Sequence, residues 1–342
     1  MTSLADWPCV ALSRADLAPR TTMRVGGQAE LLLEPKNPDE FQKACKACVE
    51  RGIAPIRILG GGANILVADG VLRGVVIATA CLQRVFRPGA GGESEEEASA
   101  EMPGEFDMEL PSAAMVQDDP ARDPRLVAWA GCTLPKLLRT ARELGYSGLE
   151  GIVGVPGSLG GGVAMNAGGR WGDMWDVVES VRVLGAGGEF KDLARADCTP
   201  TYRNGGLGNE WVVGAVLKFE PKPRLQIQEA MSEYLITKNK VQPVTAWSAG
   251  CIFKNPPAEV SDGRSAGQLI EQSGAKGLSC GDAEVSERHG NFIVNRGKAC
   301  AADVFELMEA IRKHVLDATG VELENEVKIW RNEPDEGESQ SS

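Results

Sequence analysis

Residues 148–169 read Gly-Leu-Glu-Gly-Ile-Val-Gly-Val-Pro-Gly-Ser-Leu-Gly-Gly-Gly-Val-Ala-Met-Asn-Ala-Gly-Gly, and nine of them are glycine. Glycine loses more backbone freedom on folding than any other residue, so this density needs a reason. One reason is backbone in the left-handed region. The other is a surface where main chain meets a ligand with no Cβ between them. Small residues with free N–H groups suit an anion, typically a nucleotide pyrophosphate. The stretch is not a G-x-G-x-x-G that follows a strand and opens a helix, nor a G-x-x-x-x-G-K-[ST], so it lies outside the two common phosphate loops. Ile152, Val153, Val155, Leu159, Val163 and Met165 call for burial, which argues against a loose surface loop. A second cluster, Gly60-Gly-Gly-Ala-Asn-Ile-Leu-Val67, follows the strand-like run 56–59 and has the same composition.

At 342 residues the chain can bury a sizeable core in two or three domains. It contains no apolar run of membrane-spanning length and no charged-then-apolar leader, so a cytoplasmic protein without membrane contact is expected. Nine scattered cysteines, an odd number, point to reduced thiols rather than a disulfide framework. Cys45 and Cys48 form a C-x-x-C, but it lies in an amphipathic helical pattern without a second pair or a nearby histidine. Ordinary thiols are expected there, and no metal site. Residues 91–123 hold eleven acids and one base, and residues 331–342 four acids and one base. These two blocks account for the whole net charge of −12, which leaves the remaining chain close to neutral and its bases free for an anionic ligand. Neither acidic block suits a nucleic acid.

Residues 1–19 are weakly patterned and read as a lead-in arm. Strand-like runs at 31–33, 56–59 and 75–77 alternate with a helix opened by Asn37-Pro38, whose apolar stripe is Phe41, Ala44, Cys48 and Val49. Residues 87–124 are too rich in Pro, Gly, Ser, Ala and Glu to offset the cost of ordering, so a disordered insertion is expected there. Order resumes with a strand at 126–129 and a helix at 134–144; strands at 177–184 and 211–219 flank Thr201-Tyr-Arg-Asn204. The character changes at Pro221-Lys-Pro223, after which helices are expected at 225–239, around 266–273 and at 303–317. A strand is expected at 291–295. The helix at 303–317 carries Val304, Leu307, Met308, Ile311 and Val315 on one face, with Asp303 and Glu306 patterned as a capping box. In the last strand, 321–330, Leu323, Val327 and Ile329 share one face, while Glu322, Glu324 and Glu326 take the other. A disordered acidic tail, 331–342, follows.

Several segments, in this order and spacing, resemble the UDP-N-acetylenolpyruvoylglucosamine reductases of bacterial peptidoglycan synthesis. They are Thr22-Met-Arg-Val-Gly-Gly27, the two glycine-rich stretches, Tyr202-Arg203, Ser248-Ala-Gly-Cys-Ile-Phe-Lys-Asn-Pro256 and Asn325-Glu-Val-Lys328. The resemblance covers about residues 20–330 apart from the acidic insertion. It implies an α+β fold: a two-subdomain FAD-binding region of vanillyl-alcohol-oxidase type over 20–222, then an α+β substrate-binding domain over 223–330. FAD would lie between the lobes. Around it the resemblance places Arg24, Gly60, Gly61, Gly62, Ala63, Asn64, Ile65, Gly131, Gly154, Pro156, Gly157, Ser158, Gly160 and Asn166.

The implied activity is NADPH-dependent reduction of UDP-N-acetylglucosamine enolpyruvate by a single, monomeric chain. By the same resemblance Arg203 polarises the substrate carboxylate, since a guanidinium offers a fixed two-pronged fork. Glu326 assists it, with Glu324 on the same face as the fallback. Cys251 stands where the family more often has serine, as the proton donor; Ser248 is a nearby hydroxyl. A thiol with an ordinary pKa near 8.5 remains largely protonated at neutral pH, so the exchange keeps that role open. Lys254, Asn255, His289 and Asn291 are the expected contacts to the sugar nucleotide. Two other readings compete: a different FAD oxidoreductase on the same scaffold, and a non-catalytic flavin or UDP-sugar-binding regulator.

Overall fold

The computed structural model describes residues 3–88 and 123–332. All of the expected disordered insertion except its ends, and the tail from 333, lie outside the described residues. None of the described helices is long and apolar enough to cross a membrane.

The first lobe is a four-stranded sheet in the order Val10–Asp16, Gln28–Glu34, Val71–Ala78, Ile56–Leu59. The first pair is antiparallel and the other two pairs are parallel. Residues 1–19 are therefore more than an arm, because 10–16 form the edge strand and Trp7 is buried in the lobe's core. The weak alternation there has a physical cause: an edge strand with one solvated face needs few apolar residues. Helix Pro38–Glu50 packs with Phe41, Ala44, Cys45 and Cys48. Val49, placed in that stripe from sequence, is half exposed. Eight residues beyond Phe41, it has rotated off the buried face, and Cys45 takes its place. Burial pushes the Cys48 thiol up to about 11, as befits a core thiol rather than a reactive pair.

The second lobe is a five-stranded antiparallel sheet ordered Phe190–Ala194, Val178–Leu184, Trp211–Lys218, Arg125–Trp129, Val85–Phe86. Leu134, Leu137, Leu138 and Ala141 of helix Leu134–Glu143 join Val181, Val183, Ala215 and Leu217 in its core. The short helix Leu159–Ala164 lies within the glycine-rich stretch and buries Leu159 and Val163 in the same core.

The third unit is an antiparallel sheet ordered Ser248–Cys251, Phe292–Asn295, Ala283–Val285, Ser279–Cys280, covered by helices Ala266–Gln272 and Ala301–Thr319. The expected apolar face of the long helix is buried in full. Its start is not. The helix begins at Ala301, and Asp303 reaches back to accept the N–H of Cys300 at 2.8 Å, so Asp303 is the third helical residue and not the cap.

This unit is not sealed on itself, since Met23, Val25 and Leu66 of the first lobe lie in one core with Ala249, Phe253 and Ile293. Polar contacts follow the same seam. Thr22 Oγ1 donates to the Ser248 carbonyl at 2.7 Å, and Asn295 Nδ2 to the Met23 carbonyl at 3.0 Å. Asp69 accepts the N–H groups of Ala301 and Ala302 at 3.1 and 3.0 Å, which satisfies the N-terminus of a helix more than two hundred residues away in sequence. The expected last strand shortens to Lys328–Trp330, pairing in parallel with Ile65–Val67. Residues 321–327 do not extend because the N–H groups of Glu326 and Val327 both turn to the Ile252 carbonyl.

Asp69→Ala leaves two helix N–H groups without an acceptor and should cost about 1–2 kcal/mol. Urea unfolding measures this; an unchanged midpoint would show that the carboxylate is dispensable at the seam.

Candidate active site

The two glycine-rich stretches meet face to face. Gly61 donates its N–H to Ser158 Oγ at 3.1 Å. A Cβ on Gly61 would lie 2.5 Å from Gly157 Cα, so no side chain fits between the loops. Gly62 has φ +61°, and a Cβ there would lie 2.2 Å from the Arg20 carbonyl oxygen. Both glycines are therefore required by geometry. Among the described residues the N–H groups of Gly62, Ala63 and Gly157 have no hydrogen-bonding partner. Close-packed loops without side chains and with spare donors suit a dinucleotide pyrophosphate, so the cradle fits FAD.

Next to it lies a compact charged group. Thr201 and Asn204 close a tight turn with reciprocal backbone bonds of 2.8 and 3.1 Å, presenting Tyr202 and Arg203. Arg203 is held at φ +57°, a conformation that costs a non-glycine residue about 1 kcal/mol or more. Its Nε donates to Glu326 Oε1 at 2.5 Å and its Nη1 to the Gly168 carbonyl at 3.1 Å. Tyr202 OH donates to Glu326 Oε2 at 3.4 Å. Glu326 is buried, and burial lifts its carboxyl above the ordinary range although Arg203 pulls it back down. Arg203 stays a cation: burial lowers its pKa, and the Glu326 charge and hydrogen bond more than offset that.

Cys251 comes from a different element but shares this pocket. Its segment runs beside residues 324–327, with Lys254 donating its N–H to the Glu324 carbonyl at 2.8 Å and Glu326 donating its own to Ile252. Burial, then the nearby Glu326 charge, push the Cys251 thiol up to about 12 even with Arg203 opposing them. The group therefore combines a fixed cation, a buried carboxyl and a thiol that stays protonated at neutral pH. Such a set can bind a carboxylate, stabilise negative charge next to it and deliver one proton.

The structure brings Arg203, Glu326 and Cys251 together and selects Glu326 over Glu324, which points to solvent and pairs with Lys254 at 3.1 Å. Other expected positions serve the framework. Asn64 donates through Nδ2 to the Glu326 carbonyl at 3.2 Å, and its own carbonyl accepts from Lys328, so its amide supports the carboxyl's backbone. Asn166 donates to the Thr201 carbonyl and accepts the Trp175 N–H, both at 3.3 Å, bracing the Arg203 turn. Gly131 is buried against the Thr79 carbonyl, and Gly160 lies against Ala130. Ile65 is committed to the parallel strand, and Ala63 faces Gly157. Gly154 and Pro156 lie exposed beside the cradle. Arg24 is exposed at the seam, with Nη1 on the Pro19 carbonyl at 3.3 Å and its guanidinium over Trp247.

The expected substrate contacts hold less well. Asn291 is only 2 % exposed, and its amide is spent on both backbone groups of Phe253 at 2.7 and 2.9 Å, so it cannot reach a ligand. Asn255 Oδ1 accepts the Ala266 N–H at 3.0 Å, capping a helix, and only its amide nitrogen remains available. His289 is half-buried, packs edge-on to Phe292 and accepts the Asn291 N–H at 3.2 Å. Lys254 is exposed, and among the described residues its ammonium pairs with Glu324 alone. Two contacts were not anticipated from sequence: the Tyr202 hydroxyl and the Gly168 carbonyl. Adjacency to Arg203 was a cue for the first; a backbone oxygen leaves no trace in sequence.

Residues 242–330 match the family described as UDP-N-acetylenolpyruvoylglucosamine reductase, C-terminal domain, and residues 112–194 match an FAD binding domain. The UDP-N-acetylenolpyruvoylglucosamine reductase of Moorella thermoacetica is 36% identical over 320 residues, covering 93% of both chains. That of Heliobacterium modesticaldum is 37% identical over 320 residues, covering 93% of this chain and 90% of the relative. The crystal structure of UDP-N-acetylenolpyruvylglucosamine reductase from Thermus caldophilus superimposes with a TM-score of 0.71 at 33% identity, covering 94% of this chain and 98% of that one.

The raised thiol has a chemical consequence. Alkylation needs the thiolate, so at pH 8 iodoacetamide should label exposed Cys81 and Cys300 well before Cys251, by about a hundredfold or more. Peptide mass spectrometry over a time course reads the order, and Cys251 labelling as fast as Cys300 would contradict the geometry.

Proposed function

Because the chain belongs to the UDP-N-acetylenolpyruvoylglucosamine reductase family, we propose that it reduces UDP-N-acetylglucosamine enolpyruvate to UDP-N-acetylmuramate with NADPH, through FAD, in peptidoglycan precursor synthesis. The observation that supports this most is the Arg203–Glu326 pair at 2.5 Å with Cys251 beside it, assembled next to the glycine cradle. One chain carries every one of these groups, so the site needs no second copy to complete it, which supports a monomeric enzyme acting on a small-molecule substrate; a cytoplasmic location is part of the same proposal.

FAD, when bound, would supply the hydride-transfer chemistry that links NADPH to the enolpyruvyl double bond. The residues of the chain supply position, charge and a proton. The Gly60–Gly62 and Gly157–Ser158 loops would hold the pyrophosphate, since the absence of side chains would let backbone N–H groups approach it. Arg203, already fixed by Glu326 and Gly168, receives the substrate carboxylate on its remaining N–H groups. Hydride addition at the terminal alkene carbon pushes charge onto that carboxylate as an enolate, and the fixed guanidinium stabilises it without reorganising. Glu326, buried and lifted in pKa, orients the guanidinium. Cys251 then gives its thiol proton to the neighbouring carbon and is reprotonated from solvent. Its raised pKa keeps that proton in place until the enolate forms. Lys254 and the free amide of Asn255 remain the candidates for the sugar nucleotide's diphosphate.

The two half-reactions can be watched separately by the flavin's colour. NADPH added anaerobically should bleach the wild-type protein, and UDP-N-acetylglucosamine enolpyruvate should restore the colour. Arg203→Met and Cys251→Ala should bleach normally and recolour about a hundredfold or more slowly. Recolouring of the wild-type protein by oxygen alone would replace the reductase with an oxidase. Bound flavin that NADPH never bleaches would favour a binding protein.

A further inference from the structure

Lys238 takes no part in the scheme above, yet it touches both halves of the site. It lies on helix Arg224–Val241, in the segment that follows the Pro221–Pro223 break. Its Nζ donates to the carbonyls of Gly151 and Val153 at 2.8 and 2.7 Å. Among the described residues no other donor reaches these two oxygens, and no carboxylate pairs with the ammonium. The same Nζ lies 5.7 Å from the centre of the Trp171 ring, which stacks on Tyr234 one helical turn earlier. Burial lowers the Lys238 pKa to about 8. A cation held among carbonyls and an indole face, without a counter-ion, is costly to keep, but an apolar side chain of similar length would leave both carbonyls without a donor.

Each contact leads to one component of the site. Gly151 and Val153 directly precede Gly154, and the cradle residues Gly157 and Ser158 follow on the same short run. A Cβ on Gly154 would come within 3.1 Å of Leu235 and 3.9 Å of Lys238 on the helix. Trp171 sits in the turn of the hairpin formed by Gly168–Gly169 and Gly172–Asp173, and the Gly168 carbonyl is the second anchor of Arg203. The backbone of Trp171 also lies directly on Gly151, where a Cβ would come within 2.4 Å of its carbonyl oxygen. The run leading into the cradle and the 168–173 hairpin are thus packed together, and one ammonium fastens both to the helix.

We infer that Lys238 is a positioning residue that fixes, from helix Arg224–Val241, the run leading into the FAD cradle and the 168–173 hairpin that anchors Arg203 in one register. This rests on the reductase reading, because it concerns the arrangement of flavin and Arg203 that the reaction requires. A lysine that merely satisfied two carbonyls would affect stability alone. One that sets the register would also affect flavin affinity and the substrate half-reaction.

The test uses the full chain, stripped of flavin and titrated with FAD, then reduced with NADPH and recoloured with UDP-N-acetylglucosamine enolpyruvate. Lys238→Met should weaken FAD binding about tenfold or more, as expected for the loss of charge-assisted bonds that hold the cradle. At saturating FAD it should also slow recolouring about tenfold or more, with the circular dichroism of the apoprotein unchanged. Lys238→Arg, which can serve both carbonyls, should return both quantities to within about threefold of wild type. The inference is overturned if Lys238→Met binds FAD and recolours like wild type, or if Lys238→Arg is as impaired as a folded Lys238→Met. If Lys238→Met does not fold, Trp171→Phe decides. It should slow recolouring with FAD affinity kept within about twofold, and equal rates would overturn the coupling. A wild-type protein that takes up FAD but is not recoloured by the sugar would instead refute the reductase reading.

Discussion

The ion pair between half-buried Arg203 and buried Glu326 is the interaction on which the rest of the arrangement depends. Taking the Glu326 charge out of water costs more than the attraction returns unless geometry is tight and further hydrogen bonds share the load. Both conditions are met: the contact is 2.5 Å, Gly168 takes a second guanidinium N–H, and Tyr202 donates to the other carboxyl oxygen. The pair still leaves Glu326 with a raised pKa, so its ionised form is tolerated rather than favoured in the fold. That strain, with Arg203 held in the left-handed region, is the kind of cost found where pre-organisation serves chemistry.

Glu326 reaches Arg203 only because the end of the chain returns to the first lobe. Lys328–Trp330 pairs in parallel with Ile65–Val67, and Asn64, at the start of that strand, bonds to the backbone on both sides of Val327. The same short stretch of chain thus runs from the cradle, through Asn64, into the strand that anchors the carboxyl. Thr22, Asn295 and Asp69 hold the third unit against this lobe. Cradle and carboxyl therefore share one rigid support, which is what a reaction requiring alignment within a fraction of an ångström needs.

Much of this was legible in the sequence, and what was missed has a common cause. The glycine density announced a side-chain-free surface, and the long helix's apolar face was readable from its period of 3.6. Arg203, Cys251 and Glu326 were identified through a family resemblance; alternation along 321–330 suggested the same face for Glu324 and Glu326, and only the turn of their backbone toward Ile252 separates them. Residues 10–16 were not recognised as a strand because an edge with a solvated face shows little alternation. Asn291 and Asn64 show in the sequence as polar groups, but the backbone atoms that their side chains satisfy do not. Lys238 escaped notice because its partners are carbonyl oxygens, which every residue has.

A double-mutant cycle shows whether the first lobe sets the carboxyl's position through Asn64. Asn64→Ala, Glu326→Gln and the pair would be compared in sugar-driven recolouring of the reduced protein, with FAD affinity measured for each. The account predicts that the double variant is no slower than the slower single variant, within about twofold, and that Asn64→Ala keeps its FAD affinity. Effects that multiply, or a loss of FAD binding in Asn64→Ala, would show that Asn64 serves the flavin and that the carboxyl is positioned without it.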